Sequence, residues 1–305
     1  MSASVTVRVP AKVNVQLAVG GARPDGFHDL ANVFLAVGLY DEVTVTPSPD
    51  GALRITCEGP DADQVPLDES NLAARAALAL AARHGRPADV HLHIAKDIPV
   101  AGGMAGGSAD GAAALLACDV LWGTNTPRPE LLTLCAELGS DVPFSLLGGA
   151  ALGTGRGELL TPLPVGGDFT WVFATAHGGL STPAVYREFD RLWEGRPVAQ
   201  PAASPALLDA LRAGDTAALA ETLANDLQPA ALSLFPSLAD TLAAGTDAGA
   251  LAALVSGSGP TTAFLTKDTS AAERVASALL ASGTCRAARV APSPAPGATV
   301  ITTGE

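Results

Sequence analysis

The stretch IPVAGGMAGGSADGAAALL, residues 98–116, constrains the fold of this chain more than any other. Four glycines stand within positions 102–107, and a run of small helix-forming residues follows them. Glycine destabilises a regular element by about 0.5–1 kcal/mol relative to alanine. VHLHIA, residues 90–95, alternates like a strand, so the pattern predicts strand, glycine loop and then a helix from about Ser108 to Leu121. A ligand that contacts the loop backbone would offset the cost of the glycines.

A glycine loop before a helix is suited to binding an anion. The unpaired N–H groups of the first helical turn point at the loop, and the helix dipole adds about half a positive charge. Ser108 can donate to a phosphate or bind a metal ion, and Asp110 can accept from backbone donors or lie near that metal. No Lys precedes Ser108, and no acidic partner follows at dinucleotide-fold spacing, so neither standard nucleotide motif matches. The pattern favours a different phosphate loop over a tight turn in a Gly- and Ala-rich chain.

Two further segments carry polar side chains in apolar surroundings. PAKVNVQL places Lys12 and Asn14 on one face of a predicted strand, and a Lys within an apolar strand needs an acceptor or a function. In LGSDVPF, Asp141 precedes an apolar set that includes Pro143. This Asp either caps a helix whose first turn includes Pro143 or acts as a base or orienting group near the phosphate site. The residues alone leave both interpretations of Asp141 open.

Charge and composition exclude several classes of protein. The formal charge is 18 − 31 = −13, which disfavours nucleic acid as a partner but allows a small phosphorylated ligand. We find no apolar run that resembles a signal peptide or a membrane helix, so we expect a cytoplasmic protein without a membrane partner. The four cysteines form no CxxC pair, which disfavours a zinc site. The oligomeric state is not indicated by the sequence.

The amino-acid composition of the chain changes at TPLPVGGD, residues 161–168, where Pro and Gly are concentrated. We place a domain boundary there, which gives domains of residues 1–163 and 164–305. In the second domain, the patterns predict helices over 206–244 and a loose tail over 292–305.

Together these segments resemble the motifs of the GHMP kinase superfamily, small-molecule kinases named for galactose, homoserine, mevalonate and phosphomevalonate. PAKVNVQL is similar to the first motif, PVAGGMAGGSADGAAALL to the second, and SGSGPT, residues 256–261, to the third. The resemblance implies an α+β fold of two lobes with the active site in the cleft between them. A doubly wound α/β fold is the less favoured alternative, since the strands cluster and do not alternate regularly with helices. The first domain would bind ATP and the second would contribute to substrate binding.

PDGFHDL and LGSDVPF resemble one branch of the superfamily. That branch transfers the γ-phosphate of ATP to the 2-hydroxyl of 4-diphosphocytidyl-2-C-methyl-D-erythritol in non-mevalonate isoprenoid synthesis. By resemblance, Asp141 takes or orients the hydroxyl proton, Lys12 steadies the developing charge, and Ser108 faces the phosphates and Mg²⁺. The positions that match the ATP site are Pro99, Val100, Ala101, Gly102, Gly103, Met104, Ala105, Gly106, Gly107, Ser108 and Ala109, with Asn71 and Lys96 near the adenosine.

The same resemblance assigns the acceptor site. Asn14 would help to hold the substrate, and His28 would read the edge of the cytosine. Phe27, where a Tyr is common, and Tyr186 would stack on opposite faces of the base. The segment PDGFH and the later Tyr186 argue against a homoserine- or mevalonate-type kinase. The presence of both Lys12 and Asp141 argues against a non-catalytic nucleotide sensor.

The second motif departs from the usual pattern of this branch at two positions. Met104 replaces a Leu, which is a mild change in the core, and Ala105 replaces a Gly. If position 105 requires a positive φ, the Cβ of alanine strains the loop and weakens ATP binding. We expect the protein to be functional despite this change.

Overall fold

The computed structural model describes residues 3–304, which form two β-sheets packed against ten α-helices. This arrangement confirms the predicted α+β class. The strands are β1 (Ser4–Ala22), β2 (His28–Pro47), β3 (Arg54–Glu58), β4 (Val90–Ala95), β5 (Ala150–Thr154), β6 (Leu159–Pro162), β7 (Phe169–Thr175), β8 (Ala224–Asn225), β9 (Ala252–Val255), β10 (Thr262–Thr266), β11 (Ala287–Ser293) and β12 (Thr299–Gly304).

The helices cover the two sheets, and a short 3₁₀ turn at Ala62–Gln64 precedes the first of them. Within residues 3–304, no helix is both long enough and apolar enough to cross a membrane. The helices are α1 (Leu72–Arg83), α2 (Gly106–Trp122), α3 (Arg128–Leu138), α4 (Val142–Leu147), α5 (Thr182–Trp193), α6 (Pro205–Ala213), α7 (Thr216–Thr222), α8 (Gln228–Leu234), α9 (Leu238–Asp247) and α10 (Thr269–Ser282).

The larger sheet has eight strands, and the order along its main path is β12-β1-β2-β4-β3. β1 and β2 are long antiparallel partners, and their register shifts after Pro10, which donates no ladder hydrogen bond. The alternation of VTVRV and VNVQLAV predicts two separate strands, residues 5–9 and 13–19, whereas the structure has one continuous strand that passes through the Pro. β1 therefore carries Lys12 and Asn14 towards the middle of the molecule.

The smaller sheet has the order β11-β7-β10-β9, and all four strands come from the second half of the chain. The loose tail predicted over 292–305 is wrong within the described residues. β11 extends to Ser293, and β12 then pairs antiparallel with the start of β1, where Gly304 lies opposite Ser4. The helical block predicted over 206–244 is also interrupted, since β8 pairs with β1. The boundary between residues 163 and 164 stays a prediction.

Helix α2 runs through the core beside the larger sheet, and its small residues allow close packing. Ala109, Ala112, Ala113 and Ala117 are fully buried. At Gly111 a Cβ would lie 3.3 Å from the Cβ of Leu72, so α1 and α2 approach closely there. This packing fixes the axis of α2 and therefore the direction of its N-terminus, which points into the candidate site.

Candidate active site

A cavity of about 840 Å³ lies between the glycine loop, the start of α5 and the first strands of the larger sheet. Its volume is in the range of small-ligand sites. One wall is the loop that joins β4 to α2, residues 96–105, which we call the phosphate loop. A second group of lining residues consists of Phe27, His28, Tyr186, Arg156 and Arg187, and we call it the base wall. Lys12 and Asp141 line the cavity as well.

The phosphate loop has an unusual backbone, in which Ala101, Gly103 and Ala105 have φ values of 53°, 73° and 63°. A Cβ on Gly103 would lie only 2.2 Å from the carbonyl oxygen of Ser256, so this position needs glycine. Ala105 has the positive φ that the sequence leaves open, directly before α2. The left-handed conformation costs a non-glycine residue about 1–2 kcal/mol. The loop therefore keeps a strained alanine at the edge of the cavity.

The third predicted motif, the turn at 256–261, packs directly on the phosphate loop. The hydroxyl of Ser256 donates to the carbonyl oxygen of Gly103 at 3.1 Å, and the backbone N–H of Thr261 donates to that of Gly102 at 3.3 Å. A Cβ on Gly257 would lie 3.1 Å from Lys12 Nζ. The first, second and third motifs therefore meet around the same backbone.

Lys12 and Asp141 face each other across 3.8 Å, measured from Nζ to Oδ2. Nζ of Lys12 also donates to Asn14 Oδ1 at 2.6 Å and to the carbonyl oxygen of Gly103 at 2.8 Å. Burial lowers the pKa of Lys12, and the negative charge of Asp141 offsets part of that effect. Asn14 is held in turn, because its amide donates to Asn32 Oδ1 at 2.7 Å. The arrangement places one ammonium beside both the phosphate loop and a carboxylate.

Asp141 stands directly before helix α4, as the sequence indicates. Its side chain accepts no capping hydrogen bond from that helix and is about one third exposed (32%). The structure therefore does not support the first interpretation, in which the Asp141 side chain caps the helix. The carboxylate is available to a molecule in the cavity.

His28 begins β2 and belongs to the base wall. Its Nε2 lies 2.8 Å from Asp190 Oδ1, and its ring centroid lies 5.0 Å from that of Tyr186. Burial raises the pKa of Tyr186, and the charge of Asp141 raises it further, so its hydroxyl stays protonated. Sequence reasoning did not identify Asp190, which is 162 positions away from His28.

Phe27 is half exposed (48%), and the guanidinium of Arg156 lies 5.0 Å from its ring centroid. Arg156 comes from the turn between β5 and β6, where its Nε lies 3.5 Å from Glu158 Oε1. Arg187, next to Tyr186 on α5, is exposed and lines the same cavity. Sequence reasoning missed both arginines, although GTGRGE places a basic residue in a glycine-rich turn.

Most of the predicted site residues line this one cavity: Lys12, Asn14, Phe27, His28, Ala101, Gly102, Gly103, Ala105, Gly106, Gly107, Ser108, Asp141 and Tyr186. The remaining ones do not line it: Asn71, Lys96, Pro99, Val100, Met104 and Ala109.

Among the residues outside the cavity, Asn71 and Lys96 have other contacts. The side chain of Asn71 accepts from the backbone N–H of Ala73 at 2.8 Å and caps α1. Lys96 is buried between Asp41 and Asp110. Their predicted contacts with adenosine stay predictions that these interactions do not support.

The GHMP kinase N-terminal domain matches residues 71–149, and the GHMP kinase C-terminal domain matches residues 207–284. A 4-diphosphocytidyl-2-C-methyl-D-erythritol kinase of Streptomyces avermitilis is 80% identical over 298 residues, which cover 98% of this chain and 100% of that protein. The chain belongs to this family of GHMP kinases. The predicted membership is therefore confirmed.

Solved structures agree with this family. A crystal structure of 4-(cytidine 5'-diphospho)-2C-methyl-D-erythritol kinase has a TM-score of 0.76 and 32% identity, over 94% of this chain and 98% of that one. A homoserine kinase of Cytophaga hutchinsonii has a TM-score of 0.75 at 23% identity, over 98% of this chain and 97% of that one. Since the second likeness shows the fold alone, the fold does not distinguish one acceptor from another.

Proposed function

We propose that this kinase transfers the γ-phosphate of ATP to the 2-hydroxyl of 4-diphosphocytidyl-2-C-methyl-D-erythritol. The observation that carries the proposal is one cavity in which the Lys12–Asp141 pair lies between the phosphate loop and the base wall. Phosphoryl transfer needs a phosphate cradle, an oriented hydroxyl and fixed positive charge, and this cavity provides groups for each. The printed names of the relatives agree with this acceptor.

In the proposed reaction, the acceptor hydroxyl lies beside Asp141. The carboxylate takes the hydroxyl proton as the new O–P bond forms, while the bond from the γ-phosphorus to the β,γ-bridging oxygen breaks and ADP leaves. The ammonium of Lys12, already fixed by Gly103 and Asn14, stabilises the charge on the transferred group. Because its position does not change during the step, little reorganisation is needed.

The donor set also fits Mg²⁺, provided that the ion arrives with the nucleotide. Residues 3–304 contain no group of three or more His, Cys, Asp or Glu side chains that could hold a metal alone. Mg²⁺ is commonly held by substrate phosphates and one or two protein oxygens, and Ser108 lines the cavity at the first turn of α2. When bound, the ion would neutralise phosphate charge, and Ser108 would hold it.

The residues of the base wall support the choice of this acceptor. Phe27 and Tyr186 would contact the two faces of the cytosine, and His28, oriented by Asp190, would bind its edge. Arg156 and Arg187 supply positive charge for the diphosphate of the acceptor, separate from the groups that hold ATP. The cytoplasmic location expected from the sequence stays a prediction.

A coupled ADP-release assay with Mg·ATP tests the proposal. We would offer 4-diphosphocytidyl-2-C-methyl-D-erythritol, homoserine, mevalonate and galactose as separate acceptors, with the Asp141→Asn variant as the blank. We expect turnover with the cytidylyl compound alone. Turnover with another alcohol and not with the cytidylyl compound would support kinase activity but exclude this acceptor. ADP binding without turnover of any acceptor would favour a nucleotide sensor.

A further inference from the structure

One ammonium joins the two ends of the phosphate loop. Lys96 follows the last residue of β4, where the loop begins, and Asp110 lies in the second turn of α2, just beyond its end. Lys96 Nζ donates to Asp110 Oδ2 at 2.9 Å and also to Asp41 Oδ2 on β2. The ion pair therefore closes the base of the loop and attaches it to the larger sheet.

Asp41 also holds the loop backbone directly. Its second oxygen, Oδ1, accepts from the N–H of Asp97 at 2.7 Å and of Ile98 at 2.9 Å. These are the first backbone groups after Lys96. Asp41, Lys96 and Asp110 are all nearly inaccessible to solvent, with exposures of 0%, 4% and 3%. Solvent therefore screens the interactions of this cluster only weakly.

The cluster lies directly beneath the proposed phosphate site. A Cβ added to Gly106, the first residue of α2, would lie 3.1 Å from Lys96 Nζ. Ala101 and Ala105, between the two tied ends, hold positive φ values of 53° and 63°. Such conformations persist only where the surrounding structure enforces them. We infer that the tied ends provide this constraint.

Stability alone does not explain why charges stand here. Asp110 Oδ1 is buried and has no hydrogen-bond partner among the described residues. Burial also raises the pKa of Asp110, which shows that the carboxylate is held in an unfavourable environment. Replacing a buried ion pair by apolar residues is often neutral or stabilising. A role in the site is therefore the better explanation for the pair.

We propose that Lys96 and Asp110 are positioning residues for ATP. Their ion pair, anchored on Asp41, holds the phosphate-loop backbone in the conformation that binds the nucleotide phosphates. The proposal rests on the proposed function only in taking this loop as the ATP site. It gives Lys96 a role through the loop, in place of the contact with adenosine that the resemblance implies.

Asp110→Ala tests the proposal, because it removes the ion pair with Lys96 while the charge of Lys96 remains neutralised by Asp41. We expect the ADP dissociation constant from calorimetry and the KM for ATP to rise about tenfold, because preorganisation is lost. The KM for the acceptor should stay within about twofold, since the base wall is untouched. Asp110→Asn should restore ADP affinity, because its amide oxygen still accepts from Lys96.

Asp119→Ala is the matched control on the same helix. Asp119 is 7% exposed, and its Oδ1 accepts from Thr124 Oγ1 at 2.8 Å and from the N–H of Thr126 at 2.9 Å, far along α2 from the loop. We expect a lower melting temperature with unchanged ADP affinity. If both variants lose stability and neither loses ADP affinity, the role of Asp110 is only structural and the proposal is overturned.

A triple variant keeps the test decisive if Asp110→Ala does not fold. Asp41→Asn with Lys96→Met and Asp110→Leu removes all three charges together, and the amide oxygen of the Asn can still accept from the two backbone donors of Asp41. We expect a folded protein with about tenfold weaker ADP binding. Wild-type ADP affinity in this variant would overturn the proposal. Calorimetry with ADP needs no acceptor, so failure of the proposed acceptor would be seen separately, as absence of turnover in the wild type.

Discussion

The phosphate loop and the base wall line the same cavity but are built in opposite ways. The loop presents backbone, is tied at both ends by a buried ion pair and is packed against the turn at 256–261. The base wall presents side chains, and three of them, Phe27, Arg156 and Arg187, reach solvent. The phosphate loop is therefore part of the core, while the base wall combines exposed side chains with the buried His28 and the partly buried Tyr186.

This difference separates the expected consequences of substitution. A change in the phosphate loop alters backbone geometry, so it should affect both stability and ATP binding. A change at Phe27, Arg156 or Arg187 removes a contact with the acceptor and leaves the fold unchanged, because exposed side chains contribute little to stability. Lys12 and Asp141 stand where the two halves meet, and substitutions there should affect the chemical step.

Asp141→Asn should have the largest effect, because it removes the acceptor of the hydroxyl proton at the junction of the two halves. We expect kcat to fall about 10²- to 10⁴-fold. ADP affinity and melting temperature should stay close to wild type, since the side chain caps no helix. Steady-state kinetics and calorimetry check this. Turnover near the wild-type rate would exclude Asp141 from the chemistry.

Gly103→Ala, in the phosphate loop, should lower the unfolding free energy of the protein by about 3 kcal/mol or more. The φ of Gly103 is positive, and the added Cβ would clash with the carbonyl oxygen of Ser256. Gly107→Ala is the matched control, since its Cβ would meet only a Leu72 methyl at 3.9 Å. The control should unfold within about 0.5 kcal/mol of wild type. Urea denaturation measures both. Equal stability of the two variants would mean that the loop is less constrained than described.

Arg187→Gln should weaken binding of the acceptor and leave ATP binding unchanged. As a competitive inhibitor against the acceptor, CDP should bind more tightly than cytidine, and the variant should reduce this preference about threefold. Arg191→Gln is the control on the same helix, because Arg191 pairs with Glu188 and does not line the cavity. An unchanged preference in Arg187→Gln would remove this arginine from the diphosphate site.

Ala105→Gly should have the smallest effect, and the effect should be favourable. Relief of the left-handed strain exceeds the extra chain entropy of glycine, so we expect a gain of about 0.5–1 kcal/mol in unfolding free energy. Ala109→Gly, inside α2, should instead lose about 1 kcal/mol. Urea denaturation of both variants distinguishes these signs. Destabilisation by Ala105→Gly would contradict the described strain.

Local patterns predicted the parts of the site that are continuous in sequence. The glycines predicted the phosphate loop, and the alternation around Lys12 and Asn14 placed both on one strand face. Long-range pairs carry no such signal. Lys96 lies 55 positions from Asp41, and nothing near either residue indicates the other. β12 was missed for the same reason, since its partner β1 is at the opposite end of the chain.

The most direct test of two separate halves is a calorimetric titration of CDP into protein already saturated with ADP. CDP carries the base and diphosphate of the proposed acceptor, whereas ADP occupies the phosphate loop. We predict that CDP binds with the same affinity whether ADP is present or absent. Loss of CDP binding in the presence of ADP would show one shared nucleotide site and contradict the division of the cavity into phosphate loop and base wall.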